Sequence, residues 1–193
     1  MNDYLRQLGT SLRFLGVATV LLGVLYPLVV FGTGQAVSPL HANGSIARLN
    51  DRPAASTLIA QAVPDGDDRF FHPRPSAVTW DPATSGATNL GASDPDRTEG
   101  ADHTRAVIAA REGVPATSVP GDAVASSASG LDPDISPAYA QLQAPRVAKA
   151  TGLGTAEIDK LIADATSTPV ASLLGQPAVN TTTLNLAIAA RIQ

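Results

Sequence analysis

Apolar residues crowd the amino-terminal part of the chain. From Phe14 to Phe31 it reads FLGVATVLLGVLYPLVVF, eighteen residues without a charge, and no formal charge falls between Arg13 and Arg48. At about 1.5 Å per residue the run spans roughly 27 Å, and the uncharged continuation to Gly34 covers the rest of a hydrocarbon core of about 30 Å. Twelve of the eighteen are Leu, Val or Phe, each favouring insertion by about 0.3 to 0.6 kcal/mol near the bilayer centre. The pattern predicts a transmembrane helix over residues 14–34. Arg6 and Arg13 lie on one side of it and no Lys or Arg follows until Arg48, so residues 1–13 are expected in the cytoplasm and residues 35–193 outside. Pro27 predicts a kink towards the outer end, and Tyr26 beside it suits the interfacial belt.

The same run, followed by Gly34-Gln35-Ala36, also admits a cleaved signal peptide that would release a secreted extracytoplasmic binding protein. Its length exceeds the usual apolar region of about 7 to 15 residues, which favours a retained anchor. Gly9, Gly16 and Gly23 recur every seven residues, and Thr19 shares a face with Gly16 and Gly23. Gly16, Thr19 and Gly23 are therefore candidates for close packing against another membrane helix.

Beyond residue 34 no second apolar run of spanning length occurs, and the pattern becomes that of a loop-rich domain. Ser56 to Val63 reads as a strand that exits at Pro64-Asp65-Gly66. From Phe70 to Pro95 prolines and glycines are too frequent for regular structure. Ser93, ahead of Asp94-Pro95-Asp96, predicts a capped helix reaching about Glu112 and stopping at Gly113. Pro137 and Pro145 each suit a helix start, giving Ala138–Gln143 and Arg146–Ala150. Ile158, Leu161, Ile162 and Ala165 repeat at helical spacing behind a capping Thr155. Leu184, Ile188 and Ile192 mark a last helix, capped by Asn180 or Thr181 and preceded by a short strand near Pro177-Ala178-Val179. The expected fold is a single amino-terminal transmembrane α-helix plus one mixed α/β extracytoplasmic domain with a small sheet and several short helices.

Composition narrows the chemistry. The 193 residues contain no cysteine, which removes disulfides, thiolate nucleophiles and zinc-cysteine sites. A net charge of −4 removes the basic footprint of a nucleic-acid binder. His41, His72 and His103 are spaced without a metal-ligand pattern. Neither lysine completes a phosphate loop, and Asp159-Lys160 is followed by Leu161-Ile162, which does not complete the Asp-Lys-Thr-Gly phosphorylation motif of P-type ATPases. His72, Ser76 and Asp81 are close enough in sequence to be considered as a hydrolase triad, a role that depends on spatial geometry. No catalytic residue, metal site or cofactor is expected from these features.

Several segments carry a resemblance. Phe70-Phe71-His72-Pro73-Arg74-Pro75-Ser76-Ala77 and Ser85 to Pro95 (SGATNLGASDP) are similar to segments of the KdpC family, the small C subunit of the bacterial Kdp potassium-transporting ATPase. Ala42-Asn43-Gly44-Ser45, Ser127 to Pro137, Arg146 to Ala150, Gly175 to Asn180 and Leu184-Asn185-Leu186-Ala187 extend the resemblance in order. Pro73 stands where the family usually has Gly, Phe70 where it has Tyr, and Ala189 where it has Asp.

The resemblance implies a non-catalytic accessory subunit of the cell membrane, assembled with a potassium-channel-like A subunit, a P-type ATPase B subunit and sometimes an F subunit. ATP and potassium then belong to the complex rather than to this chain. Two roles follow from it: bracing the extracytoplasmic potassium entrance, or acting as a catalytic chaperone that raises the ATP affinity of the B subunit. The segment Ser85-Gly86-Ala87-Thr88-Asn89 resembles the signature loop of ABC transporters, making Ser85, Gly86 and Asn89 candidate nucleotide contacts. Phe71, His72, Arg74, Ser76, Asn89 and Leu90 are the candidate subunit interface.

Overall fold

The computed structural model describes residues 2–64, 66–167 and 175–192. The expected turn at Pro64-Asp65-Gly66 therefore falls partly outside the described residues. The chain divides into two compact units, one up to Ser45 and one from Ile46.

The first unit is dominated by one long helical rod. Helix α1 (Asn2–Val20) passes through a single π-helical turn (Leu21–Leu25) into α2 (Tyr26–Val37). Residues Asp3–Val37 are long and apolar enough to cross a membrane, with a mean hydropathy of 2.4 in the most apolar window and none of that window buried within the protein. Phe14, Leu22 and Phe31 are 75%, 70% and 63% exposed, so the rod presents apolar side chains all round, a surface that suits lipid or a neighbouring helix. The irregularity at Pro27 takes the form of the π turn. Tyr26 N–H bonds back to Leu21 O, and this wider turn ends just before the residue that lacks an N–H and crowds the preceding carbonyls. A short helix α3 (Pro39–Ala42) follows, closed by a reciprocal amide pair between Gln35 and Asn43 at 3.2 and 3.1 Å.

In the second unit, β1 (Ile46–Leu49) and β2 (Arg52–Ser56) form an antiparallel hairpin. Asn50 and Asp51 both have positive φ, 50° and 61°, as a two-residue hairpin turn matched to strand twist requires. The strand expected at Ser56–Val63 is corrected: only Ser56 is in a strand. The segment after it directs its polar groups to separate partners instead of a ladder. Thr57 O accepts from Asn180, Ile59 O from Thr182 and Leu131 O from Ala60 N–H.

Residues 70–94 contain no regular element, as their proline and glycine content predicts. Helix α4 (Pro95–Glu112) follows. Its cap is Asp94, whose carboxylate accepts from Asp96 N–H, and not Ser93. The helix ends on Gly113 at φ 67°, in the left-handed region that glycine enters without strain. Strand β3 (Asp134–Ile135) leads into α5 (Pro137–Thr151), capped by Ser136. Two helices were expected here, but α5 runs through Pro145 unbroken. Pro145 and Gln141 are both exposed, so water can solvate the carbonyl that the proline leaves without a donor. Tyr139, Ala140, Gln143, Ala144 and Val147 are buried on both sides of it.

Helix α6 (Thr155–Asp164) has Gly154 rather than Thr155 at its cap. Strand β4 (Val179–Asn180) pairs antiparallel with β3, and Asn180 caps α7 (Thr181–Ala189) through Thr183 N–H. Among the described residues the expected small sheet is thus two separate two-stranded sheets. The core gathers Phe71, Ile108, Tyr139, Val147, Ile158, Leu161, Val179, Leu184 and Ile188. Each large aliphatic side chain fully withdrawn from water there contributes about 1.5 to 3 kcal/mol.

Candidate functional site

The irregular segment Phe70-Phe71-His72-Pro73 runs across the core, where regular pairing would otherwise be needed for its backbone. Two carboxamides replace that pairing. Asn185, on α7, accepts from Phe71 N–H and donates to Phe71 O, both at 2.8 Å. Gln143, on α5, accepts from His72 N–H at 2.8 Å and donates to His72 O at 3.1 Å. An Asn or Gln amide offers a donor and an acceptor side by side, as a strand edge does. Phe71 is consequently fully buried. It is a core residue and presents no surface to a partner.

Arg146 lies beneath this segment. Its Nε donates to Glu112 Oε2 at 2.9 Å, its Nη1 to Asp68 O and Phe70 O at 2.6 and 3.0 Å, and its Nη2 to Gln143 at 2.9 Å. The Glu112 side chain is completely buried and is shared with Arg111, whose Nε lies 2.7 Å from it. Arg111 Nη2 reaches Tyr139 Oη at 3.0 Å. Burial pushes the Tyr139 hydroxyl above its ordinary range, partly opposed by Arg111. The His72 imidazole is pushed down to about 3, first by burial and then by the positive charges of Arg111 and Arg146, with Asp67 acting weakly the other way. His72 is therefore neutral at physiological pH.

A second cluster holds the next stretch of loop. Arg74 pairs with Asp132, and Trp80 Nε1 donates to Arg74 O at 3.1 Å. Ser76 Oγ donates to Gly130 O at 2.7 Å and accepts from Val78 N–H and Trp80 N–H. Ser76 thus gives its proton to a carbonyl, while Asp81 accepts from Ala83 N–H and Thr84. The bonds of Ser76 and Asp81 do not link them to His72 as a triad requires.

Ser85 Oγ and Gly86 N–H both donate to Ser129 O, at 3.0 and 2.9 Å. These two nucleotide-contact candidates spend their donors on fastening the 76–86 loop to residues 127–130. Asn89 has φ 56° and bonds to Ala87 O. With Leu90 it lines a separate cleft of about 630 Å³ between residues 87–90, the first turns of α4 and residues 121–126. The structure thus brings Ser76, Ser85 and Gly86 to one clasp around Ser129 and Gly130, and leaves Asn89 and Leu90 apart from it. In the first unit Gly16 has open space around it and Gly23 meets only Thr19, at 3.9 Å.

Sequence reading did not single out Gln143, Glu112, Arg111 or Tyr139. Helical spacing places residues 139, 143, 146 and 147 on neighbouring rows of one face, a signal for Gln143 and Arg146, but their partners lie 71 and 34 residues away.

The family model described as "KdpC: K+-transporting ATPase, c chain" matches residues 8–190. A potassium-transporting ATPase KdpC subunit from Kineococcus radiotolerans is 41% identical over 190 residues, covering 97% of this chain and 95% of that one. The KdpC subunit from Caulobacter sp. strain K31 is 44% identical over 179 residues, with 91% and 89% covered. That from Xanthomonas campestris pv. campestris strain B100 is 42% identical over 167 residues, with 86% and 79% covered.

Proposed function

The chain belongs to the KdpC family, and from that premise we propose that it is a non-catalytic accessory subunit that stabilises a potassium-transporting ATPase complex and braces its extracytoplasmic potassium entrance. The A and B subunits of that complex are its partners, and an F subunit where one is present. Residues 35–193 lie outside the cell in this reading, because Arg6 and Arg13 flank the charge-free run 14–34 on its amino-terminal side.

One observation carries the non-catalytic part. In the family-like segments Asn185 turns its amide on the backbone of Phe71, Ser76 its hydroxyl on Gly130 and Ser85 its hydroxyl on Ser129, and Gln143, outside those segments, does the same for His72. Such groups fix the shape of a loop surface. A nucleophile needs a base within hydrogen-bond reach, and Ser76 has a carbonyl there instead. A rigid surface on a single anchor suits a part that holds other subunits in register.

Co-expression with the A and B subunits tests this reading. With the chain present, mild-detergent purification yields the complex and potassium-stimulated ATP hydrolysis. Without it, both fall at least tenfold. Full activity of an A–B complex lacking the chain contradicts the reading.

A further inference from the structure

The buried arginine network has an excess of charge, and the excess emerges at one place. Glu112 is shared by two guanidinium groups, so the trio carries one positive charge more than negative. Arg146 is 8% exposed in its side chain, and all three of its nitrogens are engaged. Arg111 is different. Its side chain is 23% exposed, Nε and Nη2 are bonded, and Nη1 has no acceptor among the described residues.

Arg111 lines a cavity of about 260 Å³ whose walls include Pro73, Pro75, Trp80 and Val107. The imidazoles of His72 and His103 are the other nitrogen-bearing groups at its lining besides Trp80. Among the described residues no carboxylate lines it. The apolar part of the wall lowers the local dielectric and so strengthens an ion pair formed beside it, and it rewards an occupant with an aliphatic stem. The volume is below the roughly 300 to 1,000 Å³ of pockets that enclose a whole small molecule. It has room for an inserted side chain of the kind that anchors an interface.

We propose that this cavity is an anchoring site for an acidic side chain of a neighbouring subunit, its carboxylate on Arg111 and its methylene stem between Pro73, Trp80 and Val107. The source of the occupant rests on the accessory-subunit reading above. The chemistry of the site does not.

Trp80 is the only tryptophan in the chain and lines the cavity, so its fluorescence reports occupancy. Titrating the full chain in detergent with butyrate at constant ionic strength should shift Trp80 emission saturably, and butyramide should not. Arg111→Gln should weaken the response at least tenfold. Because Arg111 also holds Glu112 and Tyr139, Val107→Phe provides a second variant. Val107 is 49% exposed, and a larger side chain there fills the cavity without breaking the network. Val107→Phe should abolish the butyrate response and lower the yield of co-purified A and B subunits at least fivefold, while Asp164→Asn, exposed on α6 and outside the cavity, leaves the yield unchanged.

An absent butyrate response, or an equal one to butyramide, overturns the site. A butyrate response with undiminished co-purification of Val107→Phe overturns the subunit as its occupant and leaves a free carboxylate. A wild-type chain that brings down no ATPase subunit fails the accessory reading and the proposed source together, and the butyrate titration still decides the site.

Discussion

The carboxamide of Asn185 satisfies both backbone polar groups of Phe71, each at 2.8 Å, across 114 residues of sequence. Gln143 does the same for His72 from α5. Two consecutive residues of an irregular loop thus receive side-chain substitutes for a β-ladder. The Phe71 ring can then be buried without leaving the peptide groups around it unpaired.

Replacing either amide with an isosteric apolar group tests that substitution. Asn185→Leu leaves one buried N–H and one buried C=O without partners, and Gln143→Leu does so while also unpairing Arg146 Nη2, at about 1 to 3 kcal/mol for each backbone group. Urea unfolding of the full chain in detergent should show a loss of roughly 2 to 5 kcal/mol. A loss below about 1 kcal/mol contradicts the role given to these amides.

Glu112 compensates two guanidinium groups with no exposure of its own. Glu112→Gln keeps the shape and removes the charge, leaving Arg146 almost fully buried and unneutralised, which should cost about 3 to 5 kcal/mol. The exposed pair Lys160–Asp164 on α6 supplies the comparison. Asp164→Asn should change unfolding free energy by about 1 kcal/mol at most.

Gly130 occupies a position that no side chain fits. Its φ is 71°, and a Cβ there would approach Val78 Cγ2 to 2.5 Å and Gly86 O to 2.8 Å. Gly113 has a similar φ of 67° but open space around it. Gly113→Ala should therefore cost only the backbone strain of about 1 kcal/mol. Gly130→Ala should cost clearly more and expose the 76–86 loop to proteolysis. Equal costs for the two would mean that the close approach has no consequence.

His72 gives the domain a pH signature. Its folded pKa of about 3 lies below the value near 6.5 of an unfolded histidine. The unfolded chain therefore binds more protons at this site between those values, and stability rises with pH from about 3 to 6.5 and is flat above. At about 1.4 kcal/mol per pH step, acidification from pH 6.5 to 5 should remove roughly 2 kcal/mol through this residue. In His72→Gln that part of the slope should vanish. An unchanged slope contradicts the assignment to His72.

The parts of the fold that were legible in the sequence are those set by local rules. An eighteen-residue run without charge marks the long apolar helix, Gly113 stops α4 and Asn180 caps α7. Local rules failed where tertiary packing overrode them. Pro145 did not break α5 because buried residues on both sides of it hold the helix together. The segment after Ser56 did not become a strand because its carbonyls serve Asn180 and Thr182 from across the domain. The Arg111–Glu112–Arg146 network is similarly invisible, since no periodicity links a carboxylate at the end of one helix to a guanidinium in the middle of another. Ser85 and Gly86 looked chemical because of their neighbours in sequence, whereas their hydrogen bonds belong to Ser129.

The absence of cysteine makes the central claim directly measurable, because a single introduced thiol is the only one that can react. Lys160 is exposed on α6, and Gln7 is exposed ahead of the charge-free run 14–34. In intact cells a membrane-impermeant maleimide should label Lys160→Cys, and should label Gln7→Cys, which keeps both orienting arginines, only after the membrane is opened. Labelling of Lys160→Cys only in opened cells would put the domain on the cytoplasmic side and contradict a brace at the extracytoplasmic entrance.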